Sequence, residues 1–174
     1  WGRRVMIMKN ANMMMDIMDN SPYDFILNAS KQEVNKSLDF CHRTFQGVDL
    51  QTFIYSLRNI YQNHQGLEAC FYTDKEDMSF GISNFKQTFF SINHQVRTQK
   101  HISDPLKGSA SKRLIMFLRW MVRSDKEGVD FGLWKTLKPK QLSCPLDVHT
   151  ANVGRKLGLI TRKANDWKTV KEFV

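Results

Sequence analysis

Asp104–Arg123 reads DPLKGSASKRLIMFLRWMVR and Cys144–Ile160 reads CPLDVHTANVGRKLGLI; these two stretches, joined by a loop through Gly128, Gly132 and Pro139, decide the fold. At ~100° per residue, a helix over Ser111–Arg123 gathers Leu114, Ile115, Leu118, Met121 and Val122 on one apolar face. Lys112, Arg119 and Arg123 then share a narrow band on another side, because offsets of seven and eleven residues return close to the starting direction. A row of like charges repels itself, so it is best placed facing an anion. The small residues Gly108, Ser109 and Ser111 precede this helix, where unpaired backbone N–H groups can receive a phosphate with little steric obstruction.

The second stretch predicts another helix. Pro145 fixes the chain before it, Asp147 is of the type preferred at an N-cap, and Gly158 follows Leu157 as a stop. Asp147 therefore sits where a helix begins, and the N-terminal dipole favours its ionised form. Such a carboxylate suits a site where positive charge builds up on a substrate. The bland readings are a surface lysine at position 112 and a simple cap at position 147.

Together the phrases Gly108-Ser109-Ala110-Ser111-Lys112-Arg113 and Pro145-Leu146-Asp147-Val148-His149 resemble the core of helix-hairpin-helix DNA glycosylases over about a third of the chain. They are still closer to an uncharacterised bacterial family in which KGSASKRLIMFLRWMVR and PLDVHTANVGRKLGL recur nearly as written, a likeness that runs from WGRR and SPYDF to the end. The glycosylase resemblance implies an all-α, glycosylase-like helical domain acting on damaged double-stranded DNA, with an oxidised purine as the leading substrate. It implies that Lys112 is a Schiff-base nucleophile and Asp147 its carboxylate partner. Lys107, Gly108, Ser109, Ser111, Arg113, Arg119, Arg123 and His149 would then contact the nucleic acid. Two departures stand out. The usual hairpin phrase, close to Leu-Pro-Gly-Val-Gly, appears as Leu106-Lys107-Gly108-Ser109-Ala110 with one glycine fewer, and thirty-five positions separate Lys112 from Asp147. The archaeal 8-oxoguanine branch, with a similarly wide gap, is the better analogue.

The chemistry needs both residue types. Loss of a base leaves positive character at the sugar carbon, which a carboxylate stabilises and a neutral amine traps. Neighbouring Arg113, Arg119 and Arg123 would help the amine shed its proton and would hold phosphates. The alternative is a non-catalytic nucleic-acid-binding protein of the same fold, and a third is an interaction domain for an acidic protein.

Composition sets the bounds. The chain of 174 residues carries a net charge of +9 and suffices for one domain, either undivided or as two lobes, about 1–96 and 97–174. Residues 1–96 hold nine Lys and Arg against ten Asp and Glu, whereas 97–174 hold seventeen against seven, so the excess lies beside the two key helix starts. Cys41, Cys70 and Cys144 are odd in number and widely spaced; no zinc-type cluster or cofactor site is expected, and a cytoplasmic setting is the default. No run approaches the ~20 apolar residues of a membrane span. Trp1 at the start and KTVKEFV at the end read as a fragment of a longer chain.

Along the rest of the chain, periodicity predicts a helix over 2–19 burying Met6, Met13, Met14, Ile17 and Met18, and a short piece at 31–40. A helix capped by Asp49 follows, then a short one from Gly66, a polar loop at 73–77 and a helix over about 79–95. Residues 97–110 read as a linker, 125–141 as one short helix with two turns, and Trp167 opens the final helix. Trp120 and Trp134 are candidates for lining a base pocket, with core packing the plainer role. No strand pair is expected, and seven to nine helices are the simplest assignment.

Overall fold

The structure is a computed structural model that describes residues 3–173. It is mostly helical: α1 (Arg4–Ile17), α2 (Pro22–Asn28), α3 (Lys31–Asn35), α4 (Gly47–Asn63), α5 (Leu67–Phe71), α6 (Met78–Phe89), α7 (Lys112–Val122), α8 (Val148–Lys156) and α9 (Trp167–Lys171). Four 3-10 turns supplement these. One short antiparallel ribbon, β1 (Cys41–His42) with β2 (Phe45–Gln46), departs from the expectation of no strand pair. Its two-residue turn is Arg43-Thr44, with Arg43 at φ 57°. The usual Asn-Gly signal for such a turn is absent, which is why the hairpin escapes a reading by residue type.

Contacts divide the chain into two compact units, neither continuous. One comprises Trp1–Leu67 and Phe89–His101; the other comprises Glu68–Thr88 and Ile102–Val174. The second unit holds seventeen Lys and Arg against eleven Asp and Glu, and the first holds nine against six. The charge contrast along the sequence is thus softened, because the acidic run at 74–77 folds with the basic second half.

In the first unit Met18, Phe25, Ala29, Val34, Phe40, Leu50 and Ile54 form one buried cluster. Helix α1 meets it only through its last turns, by Met14, Met15 and Ile17. Val5, Met6, Ile7, Met8 and Met13 are exposed, so of the residues expected to be buried only Met18 is fully so. Helix α4 packs closely on the 3-10 turn Lys36–Asp39, where a Cβ on Gly47 would sit 2.2 Å from the Leu38 carbonyl oxygen. Only glycine fits there. The expected linker is built structure: Val96–His101 is a 3-10 helix with Thr98 and His101 buried.

In the second unit Phe71 stacks on Phe85 at 4.2 Å, and Phe117 of α7 meets both Phe71 and Trp134. Trp134 is buried, the plainer of its two predicted roles. Helix α6 ends at Phe89 although apolar spacing continues to Ile92, and residues 124–138 carry loop and bridge geometry without the expected short α-helix; a 3-10 turn forms at Pro139–Gln141. Asp77 anchors α9 by accepting from the Trp167 indole at 3.2 Å and pairing with Lys171 at 2.5 Å. Among the described residues, no helix is long and apolar enough to cross a membrane.

Candidate functional site

Two helix starts build the site. Ser111, the residue before α7, adopts the left-handed region (φ 46°, ψ 32°), and Lys112 is the first helical residue. Ile115, Leu118 and Val122 bury one face of α7, which leaves the lysine about a quarter-turn round the helix, on an exposed flank. Asp147 caps α8: its Oδ1 accepts from the Thr150 N–H at 2.8 Å. Gly158, at φ 73°, lies just past Leu157 at the end of that helix, where the spacing placed a stop.

The two side chains meet. Lys112 Nζ donates to Asp147 Oδ2 at 2.5 Å, with the lysine side chain 46% and the aspartate side chain 30% exposed. The hydrogen bond from Lys112, aided by that from Thr150, holds the Asp147 carboxyl far below the usual carboxylate range. At neutral pH it is an anion presented to solvent. An ammonium and a carboxylate in contact can exchange a proton without a relay, which is the minimum that amine chemistry requires.

The phosphate-binding residues suggested by resemblance are placed less uniformly. Lys107 is exposed, and Arg113 and His149 are exposed on the first turns of α7 and α8. Gly108 takes φ 89° at the end of a 3-10 turn and donates its N–H to the Pro105 carbonyl at 2.8 Å. The Ser109 N–H goes to the Asp104 carbonyl at 3.2 Å, and the Ser111 N–H goes to Ser109 Oγ at 3.2 Å. These N–H groups are satisfied within the turn. Ser111 is itself only 4% exposed, its hydroxyl accepting from Ser103 Oγ at 3.0 Å, so it shapes the turn instead of facing a ligand.

Arg119 and Arg123 do line up with Lys112, but a counter-ion from the loop meets them. Arg119 Nε lies 3.2 Å and Arg123 Nε 3.6 Å from Oδ2 of Asp130, whose side chain is buried. Helical angles fix which residues share a row; they do not reveal what a loop places opposite it. Arg119 is thereby an ion-pair partner, while Arg123 keeps about half of its side chain exposed. Among the described residues, no group of three His, Cys, Asp or Glu could hold a metal ion.

A second polar cluster, in the first unit, was legible only in part. Asp49, expected as a helix cap, accepts from the Gln46 N–H at 2.9 Å, from Thr98 Oγ1 at 2.7 Å and from Arg97 Nη1 at 2.8 Å, and is fully buried. His101 Nε2 lies 3.2 Å from Oδ2 but is not aligned for a hydrogen bond. Burial opposes the Asp49 charge, but these hydrogen bonds and the nearby cations outweigh it and lower its pKa. Its partners Arg97 and Thr98 lie about fifty residues away in sequence, so no local signal announces them.

The family described as "Protein of unknown function (DUF2400)" matches the chain over residues 1–174. No curated protein and no solved structure matches it.

Proposed function

The chain belongs to that family of unknown function, and from its own residues we propose that it is a DNA base-excision glycosylase with lyase action, Lys112 serving as nucleophile and Asp147 as its acid–base partner. The observation that carries the reading is the 2.5 Å contact between two groups thirty-five positions apart, each at a helix start and each open to solvent. The likeness of the two phrases to helix-hairpin-helix glycosylases supports it, as does the positive charge of the unit that contains them.

The chemistry runs as follows. Asp147, ionised and in contact with the ammonium, relays a proton from Lys112 to solvent, and the freed electron pair on Nζ attacks C1′ of the deoxyribose. The glycosidic bond breaks with its electrons leaving on the base. Nζ then loses a second proton, which the departing base takes up. O4′ gains a proton from solvent as the ring opens to an iminium link between Nζ and C1′, from which a proton is lost to solvent at C2′ as the C3′–O bond breaks and the 3′ phosphate departs. The base must first leave the stack, at roughly a few kcal/mol, less where it is damaged or mispaired. Lys107, Arg113 and the exposed part of Arg123 are the cations best placed to hold phosphates, since Asp130 occupies Arg119. The oxidised purine remains the leading substrate class, on the resemblance alone.

Borohydride trapping tests the proposal. On a duplex with an abasic site, the Lys112 amine condenses with the C1′ aldehyde, losing water, and hydride then reduces the iminium to a stable covalent link. The wild-type protein is expected to crosslink and Lys112→Gln is not. Equal trapping by the two proteins, or none by a correctly folded wild type on abasic and 8-oxoguanine duplexes alike, rejects the reading.

A further inference from the structure

The C-terminal end of α7 carries a feature that the Lys112 chemistry does not use. Trp120 is 38% exposed, and among the described residues its indole makes no hydrogen bond or ring contact. The loop after α7 brings a second exposed aromatic beside it: the Phe131 N–H donates to the Trp120 carbonyl at 2.7 Å, while the Phe131 side chain is 59% exposed. Tying the loop down takes several bonds. The Asp125 carboxylate accepts from the N–H groups of Glu127, Val129 and Asp130, and Ser124 bridges to Phe131. Gly132, at φ 59°, allows the close approach, because a Cβ there would lie 2.6 Å from that of Ser124. The backbones that carry two exposed aromatic side chains are thus tied side by side.

Charge indicates the occupant. Arg113 lies seven residues before Trp120 and so on the same helix face, and Arg123 projects from the last turn with half its side chain exposed. Lys126 and Lys135 flank the loop. The loop also carries acids: Asp130 is buried against Arg119 and Arg123, Asp125 is held by backbone N–H groups, and Glu127 is exposed, so Arg113, Arg119, Arg123, Lys126 and Lys135 outnumber them five to three. Exposed π faces among cations match a polyanion whose rings are free to stack; a paired duplex hides its ring faces.

We propose that Trp120 and Phe131 form a stacking platform for unpaired bases of single-stranded nucleic acid, with Arg113 and Arg123 taking the adjacent phosphates. This surface stands independently of the Lys112 reaction and adds single strands to the duplex partner inferred above.

Titration with oligothymidylate of about fifteen nucleotides, read by tryptophan fluorescence and by anisotropy of a labelled strand, tests it. Trp134 and Trp167 are buried, so in a Trp1→Phe background, which removes the fourth tryptophan, quenching by the strand should vanish in Trp120→Leu. Affinity should fall by about 5- to 150-fold in that variant, the range expected for one lost stacking contact, and less in Arg113→Gln, whose salt dependence should become shallower by about one unit. Circular dichroism verifies that both variants, altered at exposed positions, remain folded. Unchanged anisotropy titration by Trp120→Leu, no binding of the strand, or equal quenching by the paired duplex overturns the proposal. Quenching without borohydride trapping would keep this surface and reject the Lys112 reading; trapping without quenching would do the reverse.

Discussion

Asp49 and Asp147 are the same residue type, each in the first turn of a helix or at its cap, each paired with a cation from a distant part of the chain. Their surroundings differ in one respect that matters. Asp49 is sealed and accepts from a backbone N–H, a hydroxyl and a guanidinium, so every change in its charge is a change in folding free energy. Asp147 is open and ionised, and the amine in contact with it is reached by solvent as well. A buried, fully partnered carboxylate does structural work; an exposed one in contact with an amine is accessible to a substrate, as the proposed reaction requires.

The largest expected effect separates the two roles of Asp147. Asn serves as an N-cap about as well as Asp, so Asp147→Asn keeps the bond to Thr150 and the helix start while removing the proton acceptor. Trapping rates on abasic DNA should fall by roughly 10²- to 10⁴-fold, the usual contribution of a positioned acid–base group, with the melting temperature unchanged. An Asn variant that traps as fast as wild type would reduce Asp147 to a cap.

Asp49→Ala should do the opposite. Removing the buried carboxylate leaves the Gln46 N–H and the Thr98 hydroxyl without their acceptor, while Arg97, 31% exposed, keeps its bond to the Thr44 carbonyl, and such a loss costs about 3 kcal/mol, the low end for a broken buried pair. Denaturant unfolding is the measurement. A loss well under 1 kcal/mol would mean that water replaces the carboxylate freely and that the contrast between the two aspartates fails.

The helix starts that carry Lys112 and Asp147 were legible in the sequence because they announce themselves locally, through small residues, a proline and a cap; that the two side chains work together came from the resemblance alone. The partners of Asp49 were not, since Arg97, Thr98 and His101 lie in a Ser-, His- and Lys-rich segment whose composition reads as linker. Composition reports exposure on average and is silent on a 3-10 turn that buries Thr98 and His101. Asp130 went unread for a related reason: the arginine row follows from helical angles, but the loop that turns a buried carboxylate onto Arg119 is set by Asp125 holding three backbone N–H groups. Trp120 was weighed against core packing, and only the burial of Ile115, Leu118 and Val122 decides which face of α7 it shares. What a residue does locally was readable; what arrives from elsewhere to face it was not.

The smallest effect, and the one that sharpens the contrast most, is in pH. Burial lowers the His101 pKa, a tendency that Asp49 opposes and that Lys100 and Arg97 reinforce. A histidine kept neutral by the fold contributes stability that is complete above its unfolded value of about 6.5 and is lost as the pH falls through the lower folded value. Asp49, with its folded pKa depressed, contributes stability that is complete above about 3.9 and is lost as the pH falls through its own folded value. Acidification should therefore lower the melting temperature in two steps, the first beginning near pH 6.5. His101→Gln should flatten the first step and leave the second, because the glutamine cannot titrate while Asp49 keeps its bonds to Gln46, Thr98 and Arg97. Should His101→Gln retain the first step unchanged, some other group accounts for it, and His101 is only a neighbour of the sealed carboxylate.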